Sequence, residues 1–134
     1  YVLWKNRAEL EKEYKDIKFD NFKFAYRRSI EHWFPQHPNS DERVEKIDDK
    51  FLHSFGNLCI ITDSQNSKFG NLVPIAKYNQ WQDIFYRQSL KLQMMAEITS
   101  KKDSGWGPKQ ITELEKEILT RVNHFIENKT SEQL

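Results

Sequence analysis

The chain has a single cysteine, Cys59, in 134 residues. That excludes an internal disulfide framework and a CxxC zinc ribbon, and it fits a reducing compartment. Its four glycines form neither a GxGxxG nor a P-loop, so no nucleotide-phosphate cradle is written into the sequence. No nucleophile-elbow motif supports a serine hydrolase. No apolar run approaches the roughly 20 residues of a membrane span, which excludes a transmembrane helical protein. Charge of one sign is also lacking: 21 Lys and Arg stand against 20 Asp and Glu, a net +1. Bulk attraction would not hold such a chain on nucleic acid, so any such contact must be local or shared with another domain. There is no internal repeat and no low-complexity stretch. The first residue is Tyr1, not Met. The chain therefore reads as a piece of something longer, and the missing signal peptide carries no information.

What is present is aromatic. Nine Phe, five Tyr and four Trp are a large payload for one core, which rules out a wholly disordered chain. A domain of this size buries roughly two-thirds of its unfolded surface and needs no staple. One domain over 1–134 is expected, with a core at about 22–80 and a helical extension at about 81–128.

Hydrophobic spacing sketches the elements. Residues 1–16 read as a helix, with Leu3, Leu10 and Tyr14 on one face. Alternation at 17–19 and 22–30 reads as strand. Pro35 and Pro38 stop regular structure. Val44, Ile47 and Phe51 suggest a short helix starting near Ser40. The run Asn57 to Thr62 is short, apolar and β-branched, and reads as a buried strand. A helix follows at about 66–80, interrupted by Gly70 and Pro74. Further helices are expected at 81–99 and, after a turn at 103–108, to about Asn128 with Ile111, Leu114, Ile118 and Val122 in step.

The densest chemistry lies in Ile30-Glu31-His32-Trp33-Phe34-Pro35-Gln36-His37, at a strand end before a proline-rich loop. A neutral imidazole with an ordinary pKa of about 6.5 can take a proton from water. Adjacent strand residues point to opposite sides, but a bend at the strand end would let Glu31 and His32 flank one reacting group. Carboxylate and amide oxygens are hard ligands that suit Mg²⁺ or Mn²⁺, and Glu31 with Asn66 could hold such an ion.

The order Ile-Glu-His…Pro-Gln, then Gly56-Asn57-Leu58, then Asn66-Ser67…Asn71 resembles the HNH, or ββα-metal (His-Me finger), endonuclease domain. More narrowly it resembles the C-terminal domain of GmrSD-type modification-dependent restriction enzymes, in which an N-terminal ParB-like NTPase domain precedes the HNH domain. The resemblance implies an α+β fold with a ββα-metal core wrapped by N-terminal and C-terminal helices. It also implies a divalent-metal-dependent DNA endonuclease of prokaryotic cytoplasm, acting in defence against phage or foreign DNA. By position, His32 matches the general base and Glu31 the metal ligand before it. Asn57 matches the residue that pins the loop and aims the base, and Asn66 the metal ligand on the helix. His37 and Asn71 are additional candidates. Two departures stand out. Twenty-four residues separate His32 from Asn57, more than in minimal motifs. The last letter is Asn rather than His, which favours Mg²⁺ or Mn²⁺ over zinc.

Other readings stand beside these. Asn57 after Gly56 could be a turn residue, and Asn66 a helix N-cap. His53 and His124 read as surface or packing residues, and Cys59 as a core thiol. Among the basic side chains (Arg27, Arg28, Lys68, Lys77, Arg87, Lys101, Lys102), Lys68 and Lys77 are the expected phosphate contacts, against the plainer reading of a solvated face. The rivals to a nuclease are a nucleic-acid-binding module without catalysis and a protein-interaction domain working through its helical faces.

Overall fold

The computed structural model describes residues 1–39, 45–101 and 105–132. The expected helix start at Ser40 and Val44, the basic candidate Lys102, and the turn residues Asp103 and Ser104 lie outside them. The fold is mixed helix and strand, as an α+β class requires. Helices α1 (Val2–Lys5) and α2 (Arg7–Glu13) are followed by strand β1 (Ser29–His32) and the short α3 (Asp49–Leu52). Strand β2 (Leu58–Ile61), α4 (Asp63–Phe69), α5 (Pro74–Trp81), α6 (Leu90–Ser100) and α7 (Pro108–Glu132) complete the order.

The two strands are antiparallel, with Ser29 opposite Ile61 and His32 opposite Leu58. In a two-stranded sheet only one face can meet a core. Glu31, Cys59 and Ile61 are accordingly buried, while the cross-strand pair Ile30 and Ile60 is 61% and 51% exposed. The run 57–62, expected as a buried strand, is thus buried on one side only.

The core joins distant parts of the chain. Trp33 is fully buried and packs edge-on against Phe69 and Phe85, and its indole N–H donates to Thr99 Oγ1 at 2.8 Å. Leu10 and Tyr14 from the N-terminal segment, Leu92 and Met95 from α6, and Leu114 and Ile118 from α7 belong to the same cluster. The C-terminal helices therefore share one core with the strands.

Local chemistry explains where the elements break. The expected helix over 1–16 is split at Asn6, whose side-chain N–H donates to Val2 O at 2.8 Å and competes with the helical ladder. The alternating segment 22–28 is extended but pairs with nothing. Alternation alone makes no ladder, which needs a partner, and β2 is only four residues long, so Phe24 and Tyr26 remain exposed. Phe22 and Phe24 instead meet edge-on at 4.9 Å and lean on Trp4. The predicted helix over 66–80 starts earlier, because Thr62 Oγ1 accepts from Gln65 N–H, and it breaks at Gly70, whose φ of +49° an L side chain rarely adopts. The predicted helix over 81–99 is a 3₁₀ segment, Gln82–Arg87, followed by α6 with a fresh cap from Ser89, whose hydroxyl accepts from Leu92 N–H at 3.2 Å.

Candidate active site

β1 pairs through His32, so strand alternation holds to its last residue. Glu31 enters the core and His32 leaves on the other side, half-buried. The expected bend that would let both flank one group is absent.

Glu31, 4% exposed, meets Lys77 of α5, which is 0% exposed. The ammonium lies 2.6 Å from Glu31 Oε1 and also donates to the backbone oxygens of His32 (3.0 Å) and Trp33 (2.7 Å). Lys77 was expected to meet phosphate. The structure corrects this: the side chain is an internal strut that holds the backbone of the candidate base. Burial pushes the Glu31 carboxyl up from its ordinary range, and the Lys77 charge pulls it back.

Asn57 is fully buried, and its side chain spends every hydrogen-bonding group. Its oxygen accepts from Phe34 N–H at 2.8 Å and from the Trp106 indole at 3.0 Å. Its NH₂ donates to Phe34 O at 3.1 Å and Leu52 O at 2.9 Å. Its backbone oxygen accepts from Trp33 N–H at 2.9 Å. One amide thus ties the loop after His32, the end of α3 and the approach to α7. Gly56 beside it must be glycine, since a Cβ there would lie 2.1 Å from Ile111 O of α7.

The His32 ring is held at both nitrogens. The Gln36 side-chain nitrogen lies 3.3 Å from Nδ1, and His53 Nδ1 lies 3.1 Å from Nε2. The two imidazoles meet edge-on, 5.2 Å apart. Burial lowers the His32 pKa, and the Lys77 charge, with that of His53 whenever His53 is protonated, lowers it further, which favours the neutral ring.

The other candidates are placed more simply. Asn66 is half-buried within α4, with its own N–H bonded to Thr62 O at 2.9 Å, so it is a helix-interior residue and Thr62 is the cap. Asn71 is exposed, and its backbone oxygen accepts from Asn39 N–H at 3.4 Å, tying the proline-rich loop to the α4–α5 turn. His37 is exposed on that loop. Lys68 is exposed on α4, 5.7 Å over the Trp81 ring. Arg28 pairs with Asp63 at 2.5 Å, and Arg27 donates to Arg87 O at 2.9 Å. Among the described residues, no three His, Cys, Asp or Glu side chains converge on one point.

Sequence reasoning missed His53, Gln36 and Trp106 as site residues. His53 had one readable signal: it stands shortly before Leu58, the register partner of His32. Trp106 had none, because its contact with Asn57 spans 49 positions.

A family model described as GmrSD restriction endonucleases, C-terminal domain, matches residues 1–121. No curated protein and no solved structure matches the chain. Among the described residues, no helix is long and apolar enough to cross a membrane.

Proposed function

The chain belongs to the family of GmrSD restriction endonuclease C-terminal domains, and from that premise we propose that it hydrolyses DNA phosphodiester bonds at His32 as an HNH-type, ββα-metal nuclease. The observation that carries this reading is the half-buried His32 ring, whose pKa burial lowers toward the neutral form a base needs. It stands at the end of a strand whose exit loop is pinned by the buried amide of Asn57. In chain order, two antiparallel strands, β1 and β2, are followed by the helix α4, the sequence of elements such a nuclease reading expects.

His32 removes a proton from water as that water attacks phosphorus. Asn57 is a positioning residue, since its four side-chain bonds hold the loop and not the substrate. Lys77 positions the His32 backbone from behind. Lys68, exposed on α4, is the remaining lysine of the pair proposed to meet phosphate. His37 and Asn71 sit on segments joined by the Asn39–Asn71 bond, at the rim of the same loop.

The family's chemistry calls for a divalent ion. Glu31 and Asn66 are the residues proposed to hold it, and their oxygens are hard donors fitting Mg²⁺ or Mn²⁺. Lys77 already holds Glu31 through Oε1 inside the core, on the side of β1 away from His32, so Glu31 would hold an ion shared with His32 only after that pair rearranges. When bound, the ion would stabilise charge on the phosphate and the leaving oxygen. The biological setting we propose is defence against foreign DNA in a prokaryotic cytoplasm, with an NTPase sensor domain in the parent chain.

Plasmid cleavage by the chain with and without Mg²⁺ or Mn²⁺ tests the reading. The expected result is metal-dependent nicking or cutting that His32→Ala reduces by about 10²–10⁴-fold while folding is kept. Cleavage by that variant at the wild-type rate, or full activity in excess chelator, overturns it.

A further inference from the structure

Two contacts on His32 determine which of its nitrogens carries the hydrogen. With the Gln36 amide turned nitrogen-first toward Nδ1 at 3.3 Å, Nδ1 must be the lone-pair atom, because an amide NH₂ only donates. A neutral imidazole has one hydrogen, so it resides on Nε2 and donates to His53 Nδ1 at 3.1 Å. His53 Nδ1 is then itself a lone pair, and the His53 hydrogen sits on its Nε2. One pair of tautomers satisfies both contacts.

We propose that His53 is a positioning residue for the His32 base, accepting the Nε2 hydrogen and thereby presenting Nδ1 to the attacking water. The proposal deepens the nuclease reading and rests on it for the word base, though the tautomer it assigns is a property of the chain alone. The edge-on packing of the two rings limits rotation of His32 about its side-chain bonds. The Gln36 amide occupies the Nδ1 lone pair in this structure, and because it stands on the exposed loop the attacking water would displace it from that side. In strand register the pairing is natural: His32 ends β1 opposite Leu58, and the segment leading into β2 carries His53 past it. An orienting acceptor behind the imidazole is the arrangement a base needs when the wrong tautomer would turn its lone pair away from the substrate.

Two variants separate orientation from packing. His53→Phe keeps a ring and removes the acceptor, whereas His53→Asn restores an acceptor oxygen near the position of Nδ1. Both are surface changes, and thermal unfolding should be unaltered. Long-range ¹H–¹⁵N spectra of the chain labelled in histidine should show the Nε2–H tautomer of His32 in the wild type. A tautomer mixture is expected in His53→Phe, because without the His53 acceptor the exposed Gln36 amide is free to turn its oxygen toward an Nδ1 hydrogen, and recovery in His53→Asn. Cleavage should fall about 10–100-fold in kcat with KM unchanged in His53→Phe, and return toward wild type in His53→Asn. An unchanged tautomer in His53→Phe overturns the proposal and leaves His53 a packing residue. A tautomer shift in a chain that cuts no DNA upholds the positioning and counts instead against the nuclease reading.

Discussion

The Lys77 ammonium lies 2.6 Å from Glu31 Oε1, with both side chains inside the core, and the same ammonium bonds the backbone oxygen of His32. An ion pair of helix α5 and strand β1 is therefore attached directly to the segment that carries the candidate base. Taking two charges out of water is costly, and the pair is kept in place by the additional backbone acceptors around it.

Lys77→Met should destabilise the fold by about 3–5 kcal/mol, because it leaves Glu31 buried without its counter-ion. The double change Glu31→Leu with Lys77→Met should recover most of that loss. Urea unfolding of the three chains checks this, and equal stability of Lys77→Met and wild type would show that the pair is not structural.

Salt titration of DNA binding separates the two lysines. Lys68→Ala should lower the log–log salt slope by a little under one unit, as the loss of one phosphate contact does. Lys68 is exposed on α4. An unchanged slope would remove it from the interface.

Asn57→Ala should cost about 1–3 kcal/mol for the buried groups left unpaired, chiefly the Phe34 backbone and the Trp106 indole. Gly56→Ala should cost about as much through overpacking against Ile111 O. Thermal unfolding reads both. A melting temperature unchanged in Asn57→Ala would mean that water replaces the amide without loss.

Acidity should act through His32. Its folded pKa lies below its ordinary value of 6.5, first by burial, then by His53 when that ring is protonated, and by the Lys77 charge. The folded state thus prefers the neutral ring. Its contribution to stability is complete above about pH 6.5 and is lost as pH falls through that value toward the folded pKa. The acid limb of kcat/KM should likewise fall below about 6.5. Comparing urea midpoints of wild type and His32→Gln from pH 5 to 7.5 isolates the stability part, and a pH–rate inflection above 6.5 would contradict the direction of the shift.

Cys59 should be inert in the native chain. It is buried, and burial pushes its thiol up to about 12, so almost no thiolate exists at neutral pH. A thiol reagent should label it only on unfolding, and fast labelling under native conditions would place it at an open surface.

The legible parts of the sequence were those governed by near neighbours. Ile111, Leu114 and Ile118 recur at helical steps, and they are the buried stripe of α7. Ser89 and Thr62 were missed as caps although both are of capping type, because apolar spacing on either side of them runs on without a break. The alternation at 22–28 misled, because Phe24 and Tyr26 stay exposed and the segment joins no strand.

What the sequence determined by itself was the order of chemistry along the chain and its resemblance to a nuclease family: Glu31-His32, Gly56-Asn57 and Asn66, with a lone buried-type cysteine and no membrane-spanning run. Only the tertiary structure decided what those residues touch. It turned Lys77 inward onto Glu31, brought His53 to 3.1 Å from His32, and set the Trp106 indole against Asn57. The reason is physical. Spacing records the periodicity of neighbours on one helix or strand, whereas these contacts form between segments 21 to 49 positions apart, where burial, charge and hydrogen bonding are settled only when the core closes.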